Sequence, residues 1–305
     1  MAIALCYAAC ALIWGTTWFV IRESIAGFPP HLALAMRFTI AAVILWFAAS
    51  LRRQTWPGKR QIRLLVLAGV CNGLNYLAIY GAEEQLPGGL MAVLYGTTPL
   101  CTGLAAHALG MERIARGDVV AAVVALAGVA VISWDQLAID RDHWVHVAMA
   151  AAAVVASVAY LILVKRSTRD VHPIRSTMIF LGITAIASWV PALPEVSDAT
   201  WPPPVQPTLA TLYLAVFGSV IAFLCYFYLL KRVSLILANS LVLVQPLIAL
   251  AIDAAFEHRA ELSVRSYVGA VITLLGIAGG WAYRARRPHV LSTSPSTAAS
   301  AATTR

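Results

Sequence analysis

Stretches of almost unbroken apolar residues recur along this chain at 3–21, 31–50, 64–82, 88–108, 118–134, 144–164, 176–193, 208–230, 233–254 and 266–283, with short polar connections between them. Each is close to the roughly 20 residues that a helix needs to cross the hydrocarbon core of a membrane. The stretches are continuous and do not alternate at period two, which predicts helices and not the strands of a barrel. The first has no basic leader and is too long for the apolar core of a signal peptide, so it is expected to stay as a helix. The pattern predicts an all-α integral membrane protein with ten transmembrane helices.

Composition sharpens that reading. Of 305 residues, 60% are hydrophobic and 12% charged, about half the charged fraction of a soluble domain. The net charge of +8 would by itself suit nucleic acid. The basic residues, however, sit in short runs between apolar stretches and not along one face, so the expected partners are membrane lipids and a small-molecule substrate, with no nucleic acid. The runs also orient the chain. Arg52, Arg53, Lys59, Arg60 and Arg63 share a side with Arg113 and Arg116, with Lys165, Arg166, Arg169 and Arg175, with Lys231 and Arg232, and with the tail arginines after the last span. Arg22, Arg141, Arg259 and Arg265 fall on the other side with Glu83, Glu84, Asp135, Asp140, Asp142, Glu195 and Asp198. Positive charge marks the cytoplasmic face, so both termini are expected inside. The five cysteines lie inside apolar stretches without metal-ligand spacing, and no metal or cofactor is expected.

The two halves of the chain resemble each other. Leu90, Leu94, Pro99, Leu100 and Ala108 match Leu237, Leu241, Pro246, Leu247 and Ala255 at one offset, and after one inserted residue Leu126 and Gly128 match Leu274 and Gly276. Five spans separate the equivalent helices, so the halves would be inverted relative to each other, an arrangement that transporters use. The expected organisation is a first five-helix repeat over 1–134, an external linker at 135–143, a second, inverted repeat over 144–287 and a disordered cytoplasmic tail at 288–305. The proline-rich stretch 194–207 is expected to be an extended loop.

Order and spacing of short motifs point further. Trp14-Gly15-Thr16-Thr17 lies in the first span. Pro29-Pro30 precedes Arg37-Phe38 in the second, and Ala82-Glu83 with Pro87-Gly88 precedes the fourth. Pro99, Glu112 and Gly128 complete a first-half pattern to which Pro246, Gly269 and Gly276 correspond. In these features the chain resembles the EamA-type transporters of the drug/metabolite transporter superfamily over nearly its full length. The Ala82–Gly89 stretch looks most like the bacterial inner-membrane subgroup that contains exporter-like proteins. The second half departs from the pattern, with no tryptophan-glycine opening and with Glu257 displaced relative to Glu112. The resemblance implies a central cavity lined largely by spans one, three, four, six, eight and nine, export as the direction, and a monomer or weak homodimer in the inner membrane.

Several residues are candidates for that cavity. Asn72, Asn75, Tyr76 and Tyr80 form one helical stripe, and amides facing lipid would be costly, so cavity lining is set against simple helix–helix bonding. Pro99 and Pro246 sit in mid-span and remove a backbone donor, which predicts kinks that free the carbonyls of Tyr95 and Val242 beside Thr98 and Gln245. Aromatics recur on the helices that would close the cavity, among them Trp14, Tyr160, Phe223 and Tyr226, and such walls suit amphipathic solutes. The candidate substrate-binding set is Trp14, Asn72, Asn75, Tyr76, Tyr95, Thr98, Tyr160, Tyr226 and Gln245. Arg37, the basic residue within a span, is expected to form a rim ion pair with Glu83 or Glu84 or to snorkel outward, with an anion-attracting role as the alternative.

No phosphate-binding loop or zinc-protease motif occurs in the sequence, and its carboxylates sit at span ends. The expected function is secondary export of small organic metabolites, amino acids or hydrophobic and aromatic compounds, by alternating access, without enzymatic activity. The alternative is a membrane-embedded enzyme acting on lipid or prenyl substrates.

Overall fold

Helices occupy the apolar stretches, as their length and continuity require. The computed structural model describes residues 1–51, 55–83, 85–86, 88–134, 143–167, 171–199, 202–256 and 264–285. The linker expected at 135–143, apart from His143, and the tail at 288–305 lie outside these residues. The helices are α1 (Ala2–Ile25), α2 (Pro30–Leu51), α3 (Lys59–Glu83), α4 (Gly88–Tyr95), α5 (Thr98–Ala108), α6 (Arg116–Ile132), α7 (Trp144–Ser167) and α8 (Pro173–Glu195). A 3₁₀ turn (Val196–Asp198) leads to α9 (Val205–Tyr213), which runs through a π-helical segment (Leu214–Ile221) into α10 (Ala222–Arg232). The chain continues through α11 (Leu235–Asn239), α12 (Leu241–Phe256) and α13 (Val264–Ala285).

Among the described residues, six helices are long and apolar enough to cross a membrane. They are Pro30–Leu51, Lys59–Ala82, Trp144–Ser167, Pro173–Asp198, Val205–Arg232 and Val264–Arg284. A seventh is α1, if its two arms, Ala2–Thr17 and Phe19–Ile25, which meet at 41°, form one span. The bend has a local cause. The hydroxyls of Thr16 and Thr17 donate back to the carbonyls of Ile13 and Trp14, a back-bonding that competes with the helix ladder and bends it.

The fourth and ninth apolar stretches are both broken. Two residues, Gly96 and Thr97, separate α4 from α5, and Ser240 separates α11 from α12. Pro99 falls in the first turn of α5, where its missing N–H is harmless. Pro246 lies inside α12 without ending it. The expected loop at 194–207 is shorter than its prolines suggest, because α8 runs through Pro191 and Pro194 to Glu195.

The helix packing comes in matched pairs. α2 packs on α8, and α6 on α13. α3 packs on α7 as α1 packs on α9 and α10, and α3 packs on α8 as α2 packs on α9 and the π segment. α4 and α5 pack on α7 as α12 packs on α1. The α6–α13 contact shows the match atom by atom. A Cβ on Gly128 would stand 2.5 Å from the Thr273 nitrogen and 2.7 Å from the Gly269 oxygen. A Cβ on Gly276 would stand 2.5 Å from the Ala125 nitrogen and 2.8 Å from the Ala121 oxygen. Thr273 Oγ1 donates to the Ala125 oxygen across 148 positions of sequence, and the same offset relates Gly276 to Gly128 and Gly269 to Ala121. Only glycine permits so close a backbone approach.

The outward faces of the helices carry exposed large apolar side chains such as Leu12, Phe47, Val155, Ile186, Val190 and Leu275. Polar side chains are drawn inward instead. Asn72, Asn75, Thr98, Ser157, Ser176, Thr184 and Ser219 are buried, as expected where the surrounding medium offers no hydrogen bonds.

Candidate functional site

A cleft with about 680 Å³ of empty space, open solvent at its mouth included, lies where helices of the first and second halves of the chain meet. α1 contributes Trp14, Thr17 and Ile21. α3 contributes Asn75, Tyr76, Ile79 and Tyr80, and α4 contributes Tyr95. Tyr160 comes from α7, Phe223 and Tyr226 from α10, and Asn239, Val242 and Gln245 from α11 and α12. Arg37 reaches it from α2.

The wall is a set of aromatic faces pinned by polar contacts. Trp14 meets Phe223 and Tyr226 edge-on, with ring centroids 5.5 and 5.0 Å apart, and its Nε1 donates to the Gly218 carbonyl at 3.1 Å. Tyr76 stands edge-on to Phe38 at 5.0 Å. Two tyrosine–asparagine bonds contribute to the wall. Tyr95 donates to Asn75 Oδ1 at 3.0 Å, and Tyr226 donates to Asn239 Oδ1 at 3.3 Å. Asn239 in turn donates to Thr102 Oγ1 at 3.3 Å. One pair joins α3 to α4 and the other joins α10 to α11.

Arg37 is 1% exposed. Its Nε donates to Ser219 Oγ at 2.9 Å and its Nη2 to the Gly218 carbonyl at 3.3 Å. Its guanidinium lies 5.2 Å from the Phe38 ring and 5.5 Å from the Tyr76 ring. Nη1 is buried without a hydrogen-bond partner. Gly218 and Ser219 belong to the π segment, whose widened turns re-aim groups that a regular helix would keep in its ladder. A Cβ on Gly218 would press to 3.3 Å from Arg37 Nη2, so glycine there admits the guanidinium. Of the suggested acidic partners, Glu84 and the Glu83 side chain lie outside the described residues. The partners that the structure gives Arg37 are Ser219, Gly218 and two rings, and the side chain is enclosed, not snorkelling.

Of the residues expected to bind substrate, Trp14, Asn75, Tyr76, Tyr95, Tyr160, Tyr226 and Gln245 come together on this wall. Asn72 and Thr98 do not. Asn72 Nδ2 donates to Thr184 Oγ1 at 3.1 Å, tying α3 to α8. Gly69 and Gly73 let α8 close over that half of the stripe, since a Cβ on Gly69 would stand 2.7 Å from the Phe180 oxygen. The stripe thus divides by depth: its N-terminal part packs and the part from Asn75 to Tyr80 faces the cavity. Thr98 turns its hydroxyl back to the Tyr95 carbonyl. The acceptor freed by Pro99 is therefore closed locally and is not offered to a solute. Thr17, Ile21, Arg37, Ile79, Tyr80, Phe223, Val242 and Asn239 join the wall from outside that set. The signal for Asn239 was a lone amide in an apolar stretch, masked by its closeness to the span end.

Charged clusters sit away from the cavity. Lys165 Nζ pairs with Glu112 at 3.1 Å and donates to the Val233 carbonyl at 2.7 Å, while Glu112 Oε2 accepts from the Leu235 amide at 2.9 Å. This links the connections α5–α6 and α10–α11 to the end of α7. Arg284 grips Asp118 with two bonds of 2.8 Å. Elsewhere Glu195 accepts from the Leu32 amide at 2.9 Å and meets His31 Nδ1 at 2.5 Å, joining α8 to the start of α2.

The sequence model of the EamA-like transporter family matches residues 1–134 and 144–279. The chain belongs to that family. It is 28% identical to Protein PagO of Salmonella typhimurium (strain LT2) over 90% of this chain and 93% of that protein. It is likewise 28% identical to the "Uncharacterized inner membrane transporter YedA" of Escherichia coli (strain K12), over 78% of this chain and 77% of that protein. It is 26% identical to a "Probable terminal-alkyne amino-acid exporter" of Streptantibioticus cattleyicolor, over 87% and 88% of the two chains. A solved crystal structure superposes with a TM-score of 0.77 at 21% identity, covering 94% of this chain and 99% of that one, a likeness of fold. As a member of the EamA-like family the chain is a multi-pass membrane transporter, and the aromatic cavity is where the two matched regions meet.

Proposed function

We propose that this EamA-family protein is a secondary exporter of small organic metabolites, amino acids or hydrophobic and aromatic compounds, working by alternating access around the central cavity. In this reading the fold is ten spans in two inverted five-helix repeats, set in a bacterial inner membrane with both termini cytoplasmic. The broken α4–α5 and α11–α12 then each count as one span, as does α9–α10. The observation that carries the proposal is the cavity itself, lined from both halves and walled by rings with a few convergent polar groups. The matched helix contacts and the self-complementary α6–α13 seam support the repeat, because exchanging the conformations of two inverted halves moves an opening from one face to the other. Relatives named as an inner membrane transporter and as an amino-acid exporter support the location, direction and cargo class. The enzyme alternative needs free acids at one face, whereas Glu112 and Asp118 are each engaged by a basic partner.

Solute flux from proteoliposomes tests the proposal. Tyr76→Ala and Gln245→Ala, each eluting as a folded monodisperse protein, are expected to lose flux. Full flux in both variants would remove the cavity from the transport path.

A further inference from the structure

Arg37 contributes a cation to an aromatic cavity and is only partly satisfied by the protein. A guanidinium has five N–H donors and stays charged in any protein environment. The two donors on its side edge, from Nε and Nη2, are taken by Ser219 and the Gly218 carbonyl. The end edge, formed by Nη1 and the second N–H of Nη2, is left, and Nη1 has no partner. Phe38 and Tyr76 lie against the ion, which moderates its charge but supplies no acceptor. Among the described residues no carboxylate lines the cavity. Leaving a buried charged donor unpaired is costly, and the end edge of a guanidinium is a two-donor fork matched to a carboxylate.

We propose that Arg37 is the substrate-carboxylate anchor of this transporter, and that the cargo is a monocarboxylate with an apolar or aromatic body, amino acids included. The proposal rests on the transport reading above and names its substrate class. The site favours a single negative charge, because Arg37 is the one Lys or Arg among the residues lining the cavity. Trp14, Tyr160, Phe223 and Tyr226 provide the surface for the apolar body, and Asn75, Asn239 and Gln245 provide polar contacts along it. Ser219 and Gly218 hold the guanidinium by its side edge, so that the end edge keeps a fixed direction. Enclosure strengthens the pairing, since the side chain is almost wholly removed from solvent.

The test compares acids with their own carboxamides on the full-length protein in nanodiscs. The probes are 3-phenylpropanoate against 3-phenylpropanamide and L-phenylalanine against L-phenylalaninamide, with binding read by equilibrium dialysis. A charge-assisted hydrogen-bond pair predicts that the wild type binds each acid about 10- to 100-fold more tightly than its amide. In Arg37→Gln that ratio is expected to fall to about one with amide binding kept. Arg37→Lys, which keeps the charge but not the fork, is expected to retain part of the ratio and serves if the glutamine variant does not fold. Equal binding of acid and amide by the wild type, or a ratio that survives in Arg37→Gln, overturns the proposal. Flux of the same pairs separates it from the transport reading. Amides carried as fast as acids overturn the anchor and leave transport standing. Acids bound with the expected ratio but never carried overturn transport and leave the anchor standing.

Discussion

Ser219 Oγ accepts from Arg37 Nε at 2.9 Å, across 182 positions of sequence. Both residues are almost fully buried, so this bond fixes a cation of the first half onto the π segment of the second. Ser219→Ala removes the acceptor and leaves a charged donor unpaired, at a cost of about 1–3 kcal/mol. A lowered thermal unfolding midpoint in detergent is the expected result, and an unchanged midpoint would show that the bond contributes little.

The seam between α6 and α13 predicts a symmetric pair of effects. Gly128→Ala and Gly276→Ala each drive a methyl into the facing backbone, to 2.5 Å from the Thr273 and Ala125 nitrogens respectively. Overpacking of this kind typically costs ~1–3 kcal/mol. Both variants should lose folded yield and thermal stability to a similar degree, measured by fluorescence-detected size-exclusion chromatography on heated samples. A large loss in one and none in the other would contradict the matched geometry.

The two tyrosine–asparagine bonds are predicted to shape the wall without holding up the fold. Tyr95→Phe and Tyr226→Phe each remove one hydroxyl and keep the ring. A neutral hydrogen bond contributes about 1 kcal/mol, so half-saturating solute concentrations in flux assays should rise roughly 3- to 10-fold. Helical content by circular dichroism should not change. Unchanged saturation in both variants would place these hydroxyls outside solute recognition.

Glu112 and Lys165 tie together the connections at one end of the bundle. Glu112→Gln removes the charge that holds Lys165, which is 21% exposed. Losing about 1 kcal/mol from the state that this cluster closes shifts a two-state equilibrium roughly fivefold. Thiol labelling of a cysteine placed at Val242, in a background lacking the five native cysteines, should speed up from that face. An unchanged labelling rate would mean that the cluster is not a closure.

Much of this architecture was legible in the chain, and for physical reasons. Continuous apolar runs dictate helices in a membrane, and Gly128 and Gly276 stood out at matching depth, although their close backbone approach was not read from the sequence. The aromatic wall was legible because Trp14, Tyr76, Tyr160 and Tyr226 are too amphipathic to be indifferent to where they face. The stripe on α3 was read one turn too far, to Asn72, because periodicity gives the face of a helix but not the depth at which a neighbour closes on it. That depth was set by Gly69 and Gly73 against α8. Pro99 marked a real break, but the carbonyl it freed is met by Thr98 only three residues on. The setting of Arg37 was the least legible feature, since its partners Gly218 and Ser219 are brought to it by a π segment that leaves no simple mark on hydrophobic periodicity.

The central claim is alternating access, and access to the cavity from each side of a membrane measures it directly. A cysteine at Val242, which lines the cavity, is to be labelled in oriented proteoliposomes with impermeant maleimides applied to one side or the other. Alternating access predicts labelling from either side, slowed on both by saturating cargo acid, and opposite changes on the two sides when Glu112→Gln is introduced. Labelling from one side alone under every condition would contradict it.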